Sequence, residues 1–283
     1  MTTTVDPHAA ETNTSSELRE TRQEESGVAF VGARVLELVR VARELYSVLV
    51  RTLYYCVKGR KEPGAVVQQM YEIGNKSLFF ISVVMGFIGM ILVLQAAIQA
   101  KRVVPDLTLL GATYMQLLVR DLAASIGALM LATRVGAGIA AEIGSMVVTE
   151  QVDALRMCAA DPIDYLVKPR FIASIVMTTA LIIWAGVVAF ACGMATGYAM
   201  FDINPYTFAN TQMVHAGDLV VGLTKCLAYG AAIPIISAHS GLSTFGGSEG
   251  VGWATTRAVV NSSLGVIMLN LIISTAGYLV FPG

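Results

Sequence analysis

Five charged side chains interrupt long apolar stretches of this sequence, and they are the first candidates for chemistry. They are Arg120, Asp121, Arg134, Glu142 and Lys225. A charge inside a membrane span is costly and defaults to a functional hypothesis. An acid on one helix and Lys225 on another could pair across a bundle, so function and packing stay equally open for Asp121 and Lys225. A structural role is favoured for Arg134 and Glu142, because headgroups or a connector at a span end could satisfy them.

A second polar set forms the longest polar interruption between the apolar stretches. It reads TEQVDALRM from residue 149 to 157. Thr149 predicts an N-cap with Glu150 in the first turn, where a carboxylate complements the helix dipole, and Pro162 breaks or ends the helix. A short exposed helix between two spans can insert into a groove of a separate ATPase. The alternative is a plain polar loop.

No constellation of an enzyme accompanies these residues. The sequence contains no HExxH, no G-x-S-x-G elbow and no Gly-Lys dipeptide, so it lacks a Walker A site. The histidines and cysteines are scattered, without the close pairs of a zinc site. We therefore predict no catalytic residues, no metal site and no bound cofactor; ATP and Mg would belong to a partner ATPase.

Composition indicates the elements that must position these residues. Hydrophobic residues make up 55% of 283 residues, charged residues 14%, and the net charge is -1. These values predict an all-α integral membrane protein, and the absence of a basic block argues against nucleic-acid binding. Residues 1–27 predict a disordered cytoplasmic tail. Residues 28–76 predict interfacial amphipathic helices, with a helix packed on protein as the alternative for 28–57.

Five spans are predicted within residues 77–283. The first is 77–98, and the 107–148 stretch holds a short helix or re-entrant segment followed by a span at 122–146. The others are 171–200, 219–238 and 258–281, the fourth being broken by Lys225 and Pro234. Lysine and arginine are concentrated before the first span and in the connectors after the second and fourth. This bias predicts a plasma (inner) membrane protein with a cytoplasmic N-terminus and an external C-terminus.

Three ordered motifs between Tyr71 and Ile273 carry a family resemblance. They are YEIGNKSLFF, RVGAGIAAEIGSMVVTEQVDALRMCAADPIDYLVKPR and GLSTFGGSEGVGWATTRAVVNSSL. The chain resembles the MlaE/YrbE permease family, the membrane subunits of lipid ABC transporters that work with Mce proteins. The resemblance implies an interfacial helix plus five spans, a permease dimer, and a cytoplasmic coupling helix at about 149–160.

The resemblance also implies roles for particular residues. The ATPase-coupling set is Thr149, Glu150, Gln151, Asp153, Ala154 and Leu155. Arg120, Asp121 and Lys225 would lie near a lipid cavity. Asn270 stands where the family commonly has aspartate, which suggests a heterodimer whose second permease supplies missing charges.

The partners implied are that second permease, a cytoplasmic ABC ATPase and Mce-type proteins on the outer side. The substrate would be a fatty acid, phospholipid or sterol. The alternatives are an integral membrane enzyme acting on lipids and a passive membrane anchor for an envelope complex.

Overall fold

The computed structural model describes residues 36, 39–59, 63–103, 109–210 and 212–280. The predicted tail, 1–27, lies outside the described residues. The chain divides into two compact units, of which the first ends at Ser47 and the second is Val48–Gly283. Within the described ranges the secondary structure is helical, without strands.

The helices follow one another with short connections. They are α1 (39–58), α2 (Pro63–Val103), α3 (Leu110–Val148), α4 (Gln151–Met157), α5 (Ile163–Phe201), α6 (Pro205–Phe208), α7 (Ala216–Leu242) and α8 (Ser248–Val280). Five of them, α2, α3, α5, α7 and α8, are long and apolar enough to cross a membrane. The prediction of an all-α protein with five spans is confirmed.

The span boundaries differ from the predicted ones where polar residues continue a helix. Residues 63–76 are part of α2, so the boundary expected at residue 76 is not a helix break. The fourth span is not broken, because Pro234 lies buried inside a continuous α7. The glycine-rich connector shrinks to 243–247, where Gly246 and Gly247 have φ of +83° and +80°. Such positive φ angles favour glycine.

The short or re-entrant segment predicted before residue 122 is not separate from the second span. Leu110–Val148 forms one helical run with two π-helical turns, Leu118–Leu122 and Ala132–Gly136. The first π turn carries Arg120 and Asp121, and the second carries Arg134. The charges that suggested an interruption therefore mark changes of helix type and not ends of the helix.

Small residues allow close approach between the spans. The most extensive packing joins α2 to α5. A Cβ at Gly89 of α2 would collide with the Ala189 backbone, and one at Gly193 of α5 would lie 2.8 Å from Val93. Half of the most apolar window of α3 and of α7 is buried, against 11% for α8. The core therefore centres on α3 and α7, while α8 leaves most of its surface open.

Candidate transport site and coupling segment

Two ion pairs join α3 to α7. Arg120 Nη1 donates to Asp218 Oδ1 at 3.1 Å, and Lys225 Nζ donates to Asp121 Oδ1 at 2.5 Å. Asp218 and Lys225 are about two helical turns apart, so they lie on the same face of α7. The adjacent residues of the first π turn reach this face together, one toward each partner. The Lys225 side chain is 1% exposed, which makes its partner necessary.

Asp218 was not among the residues predicted for the site. It is buried and accepts a hydrogen bond from Gln116 at 3.4 Å in addition to the Arg120 pair. It also accepts the His215 backbone N–H at 3.1 Å, which completes a capping box at the start of α7. The sequence indicates Asp218 only as an acidic residue three positions after His215, the N-cap residue of α7. The predicted start of the span at residue 219 excluded it.

Asn270 brings α8 into the same cluster. Its Oδ1 accepts hydrogen bonds from Tyr229 Oη at 3.1 Å and Ser274 Oγ at 3.2 Å, and its side chain lies close to the Asp121 carboxylate. Ser125 Oγ donates to Asp121 Oδ1 at 3.0 Å. The structure thus brings Arg120, Asp121, Lys225 and Asn270 close together. The Asp121 side chain is 44% exposed, so its carboxylate is the accessible part of the Lys225 pair.

An apolar cavity of about 420 Å³ lies among α3, α5 and α7. Its lining consists of Met115, Leu118, Val119, Ala123, Ala124, Ile182, Ile183, Gly186, Val187, Phe190, Leu219, Gly222, Leu223 and Cys226. Val119 precedes Arg120 and Cys226 follows Lys225, so the cavity and the charged cluster share turns of α3 and α7. A hydrocarbon chain matches this lining, because apolar surface gains free energy when it leaves water.

The connector after α3 presents the predicted coupling residues at the surface. Gln151, Asp153 and Ala154 are exposed on α4, together with the preceding Thr149 and Glu150, and Leu155 is half-buried. Two details of the prediction are wrong. Thr149 does not cap α4: it ends α3 and donates to Ser145 O at 2.8 Å. Pro162 does not end α4 either, since the helix stops at Met157.

Thr149 does not cap α4 because of the backbone conformation at Glu150. This residue precedes α4 with φ 58° and ψ 13°, in the left-handed region, and its side chain makes no capping bond. The chain therefore turns sharply between α3 and α4 without using a Thr N-cap. On α4 itself, Val152 is buried and anchors the helix, while Asp153 pairs with Arg156 at 3.1 Å.

Further ion pairs hold the connector to its surroundings. Glu142 of α3 pairs with Arg170 of α5 at 2.7 Å, and Arg170 is buried. Arg134, predicted to act beside Glu142, is exposed and forms no ion pair with a described residue. Arg170 was not predicted as a site residue, because its partner is 28 residues away and the sequence offered no signal that they meet.

A hydrogen bond also ties residues 48–58 to the connector. Tyr55 Oη donates to Asp161 Oδ2 at 2.7 Å, and this bond raises the pKa of Tyr55. Asp161 Oδ1 accepts the Ile163 N–H at 3.0 Å. Partial burial raises the pKa of the neighbouring Cys56. The connector is thus fixed on two sides, by α1 and by α5.

Comparison with known proteins adds a decisive observation to this geometry. A family model described as Permease MlaE matches residues 66–276, which include the connector and all of the five spans except the outer ends of the first and the fifth. The chain belongs to the MlaE permease family. The MlaE match places the chain among multi-pass transporter permeases and not among enzymes.

Relatives agree with the MlaE assignment. A "Probable ABC transporter permease protein" of Synechocystis sp. is 37% identical over 231 residues, 81% of this chain and 86% of that protein. The "Intermembrane phospholipid transport system permease protein MlaE" of Haemophilus influenzae is 30% identical over 250 residues, 87% of this chain and 95% of that protein. "Protein TRIGALACTOSYLDIACYLGLYCEROL 1, chloroplastic" of Arabidopsis thaliana is 33% identical over 225 residues, 77% of this chain and 63% of that protein. Similarity to ABC transporter permeases implies an ATPase partner.

Proposed function

We propose that this MlaE-family chain forms half of a dimeric transmembrane cavity in an ATP-driven, Mce-type lipid transporter. Its substrate is a fatty acid, phospholipid or sterol. The observation that carries the proposal is the apolar cavity of about 420 Å³ beside the charged cluster. A lipid likewise has an apolar body, which suits the cavity, and a polar end, which suits the charged cluster.

The cavity and the charged cluster bind different parts of such a substrate. The hydrocarbon part lies against the lining from α3, α5 and α7. The polar end meets the exposed side of the Asp121–Lys225 pair and the neighbouring Arg120, whose side chain is 27% exposed. The name of the Haemophilus influenzae relative supports a phospholipid among the candidate substrates.

Coupling proceeds through the exposed segment from Thr149 to Leu155. A cytoplasmic ABC ATPase, which holds ATP and Mg, grips α4 in a groove. Movement of α4 reaches α3 through the turn at Glu150 and reaches α5 through the Glu142–Arg170 ion pair, 2.7 Å long. Glu142 keeps the structural role predicted for it in this part of α3, through its ion pair with Arg170.

A second, unlike permease completes the cavity. The open surface of α8 and the half-exposed Asp121 carboxylate support such a partner. Asn270 is neutral where the family commonly has aspartate, so the unlike subunit supplies the additional charge. The complex lies in the plasma (inner) membrane with the N-terminus in the cytoplasm, the C-terminus outside and Mce-type proteins on the outer side.

The test fills the cavity without disturbing a buried core. Val187 of α5 lines the cavity and is 57% exposed, whereas Val176 on the same helix is 48% exposed and does not line it. In the reconstituted complex, Val187→Trp should lower ATP-dependent lipid transfer between vesicles about tenfold or more. Val176→Trp should retain transfer, and both variants should retain their ATPase subunit.

Affinity purification of the solubilised complex supplies the second readout. We expect an ABC ATPase, a second permease and an Mce-type protein to copurify. An intact complex that shows no ATP-dependent lipid transfer would contradict the transport proposal and favour a passive anchor. Equal lipid transfer by the two tryptophan variants would show that the cavity is not part of the transport pathway.

A further inference from the structure

A second groove lies between α2 and α3, in the opposite half of α3 from the charged cluster. Its volume is about 590 Å³, and its lining includes Lys76 and Ser77 of α2 and Arg134 and Gly138 of α3. Arg134 is about 21 Å further along the helix axis than Arg120, at 1.5 Å per residue. The groove is therefore separate in the fold from the apolar cavity and the charged cluster.

The groove carries more free positive charge than negative charge. Lys76 and Arg134 are exposed, and neither forms an ion pair with a described residue. Two cations nearer the charged cluster are matched: Arg120 pairs with Asp218, and Lys225 pairs with Asp121.

Two acids also line the groove, but only one is available. Glu142 is already paired with Arg170 at 2.7 Å, whereas Glu72 is half-buried and forms no ion pair with another described residue. Two cations therefore face one uncompensated carboxylate. An anionic ligand would satisfy the remaining charge.

The position of the groove along α2 identifies the layer of the membrane that it meets. Lys76 is followed by residues 77–98, which contain no charge and are long enough to cross the hydrocarbon core. Lys76 therefore marks the boundary between apolar core and polar headgroups. Arg134 approaches the same level from α3, because both residues line the one groove.

The local backbone also leaves room for a ligand. Arg134 lies in the π turn Ala132–Gly136, and π turns inside α-helices occur frequently at functional sites. A Cβ built at Gly138, one turn further on, would meet no atom within 4 Å. The guanidinium thus borders open space lined by Ser77 and the Lys76 ammonium.

We propose that this α2–α3 groove binds the phosphate of a phospholipid headgroup from the cytoplasmic leaflet. The Arg134 guanidinium donates two parallel hydrogen bonds to phosphate oxygens, and Lys76 adds a compact charge from the other helix. The recognised chemistry is a phosphate, so a soluble phosphate is the other possible source of the ligand.

The experiment places a photoreactive benzoylphenylalanine at Gly138 of the full-length protein in nanodiscs that contain phosphatidylglycerol. Crosslinked phospholipid is measured by mass spectrometry. Arg134→Gln and Lys76→Gln should each lower the yield about tenfold, the effect of one charge-assisted hydrogen bond. The yield for Arg134→Lys should lie between the yields of these two variants and that of the parent protein. Lys58→Gln, which removes an exposed cation outside the groove, should leave the yield unchanged.

Two further arms define the ligand. Diacylglycerol with the same acyl chains should give no specific crosslink, because it lacks the phosphate. Loss of the crosslink in excess inorganic phosphate would show that the groove accepts either source, and retention would assign it to the lipid alone. Equal crosslinking to diacylglycerol, or yields unaffected by Arg134→Gln and Lys76→Gln, would overturn the proposal.

A photoreactive residue at Val187 separates this result from misfolding and from the transport proposal. Its lipid crosslink in the apolar cavity should persist in Arg134→Gln, which shows an intact fold. Loss of the Val187 crosslink in an otherwise intact protein, with the Gly138 crosslink retained, would count against the cavity and leave the groove in place.

Discussion

At the scale of single residues, the Asp121–Lys225 pair is asymmetric. Lys225 is 1% exposed, whereas Asp121 is 44% exposed. Loss of either partner leaves a charge behind, but the environments of those two charges differ. The lysine has no access to water or headgroups, while the carboxylate retains Ser125 and an open side.

This asymmetry predicts unequal effects of neutral substitutions. Asp121→Asn should lower the free energy of unfolding by about 3 kcal/mol, because it leaves the buried ammonium unpaired. Lys225→Met should cost less, and the double variant should recover part of the loss of Asp121→Asn. Thermal unfolding of the purified protein in detergent measures all three. Equal losses for the two single variants would contradict the asymmetry.

A second prediction at this scale concerns pH. The hydrogen bond to Asp161 raises the pKa of Tyr55, so it stabilises the neutral phenol in the folded state. The stabilisation is complete below the ordinary tyrosine pKa of about 10 and is lost as pH rises through the raised value. Between pH 8 and 11, the parent should lose more thermal stability than Tyr55→Phe. Parallel curves would show that the bond adds no pH-dependent stability.

At the scale of elements, α4 is held between two residues in left-handed conformations, Glu150 and Ala159, with φ of 58° and 56°. A non-glycine residue in this region costs about 1 kcal/mol. The turn at Glu150 sets the direction in which α4 leaves α3, so its backbone and its carboxylate have separable roles.

Two substitutions at Glu150 separate them. Glu150→Gly removes the carboxylate and relieves the left-handed strain, whereas Glu150→Ala removes the carboxylate and retains the strain. The glycine variant should be more stable than the alanine variant by about 1 kcal/mol. If the carboxylate contacts the ATPase, both should lose association to the same extent in a pull-down. Retained association in both would exclude Glu150 from the coupling set.

The helices were easier to predict from the sequence than the contacts between them. The five spans were predictable because uncharged runs of this length have few other solutions. The start of α4 was not predictable, because side-chain preference indicated a cap at Thr149 and gave no indication of the left-handed Glu150. Asp218 escaped because its partner Arg120 is 98 residues away, and pairing across that separation depends on the packing of α3 against α7. Local pattern thus predicted the helices, and tertiary packing decided their partners.

At the scale of the whole molecule, the order of the spans fixes which ends share a side. An odd number of spans predicts that the N-terminus and the C-terminus lie on opposite sides of the membrane. The connector with α4 and the turn at 243–247 lie together on one side. The bias of lysine and arginine predicts that this side faces the cytoplasm.

Reporter fusions test this orientation. Alkaline phosphatase joined after Gly283 should be active in the periplasmic or external space, and the same enzyme inserted between Gly246 and Gly247 should be inactive. A green fluorescent protein at the two positions should give the opposite pattern. Activity of the phosphatase at the internal position would reverse the orientation and move the coupling segment away from any cytoplasmic ATPase.

The two π turns of α3 have a further mechanical consequence. A π turn contains one more residue than an α turn, and one residue corresponds to a rotation of about 100° around the helix axis. Conversion of Ala132–Gly136 to α-helical geometry would therefore twist residues 110–131 relative to 137–148. Arg120 and Asp121 would then swing away from α7 while Glu142 stayed with Arg170. A local change of helix type near Arg134 would therefore produce a large rotation of the charged cluster about the axis of α3.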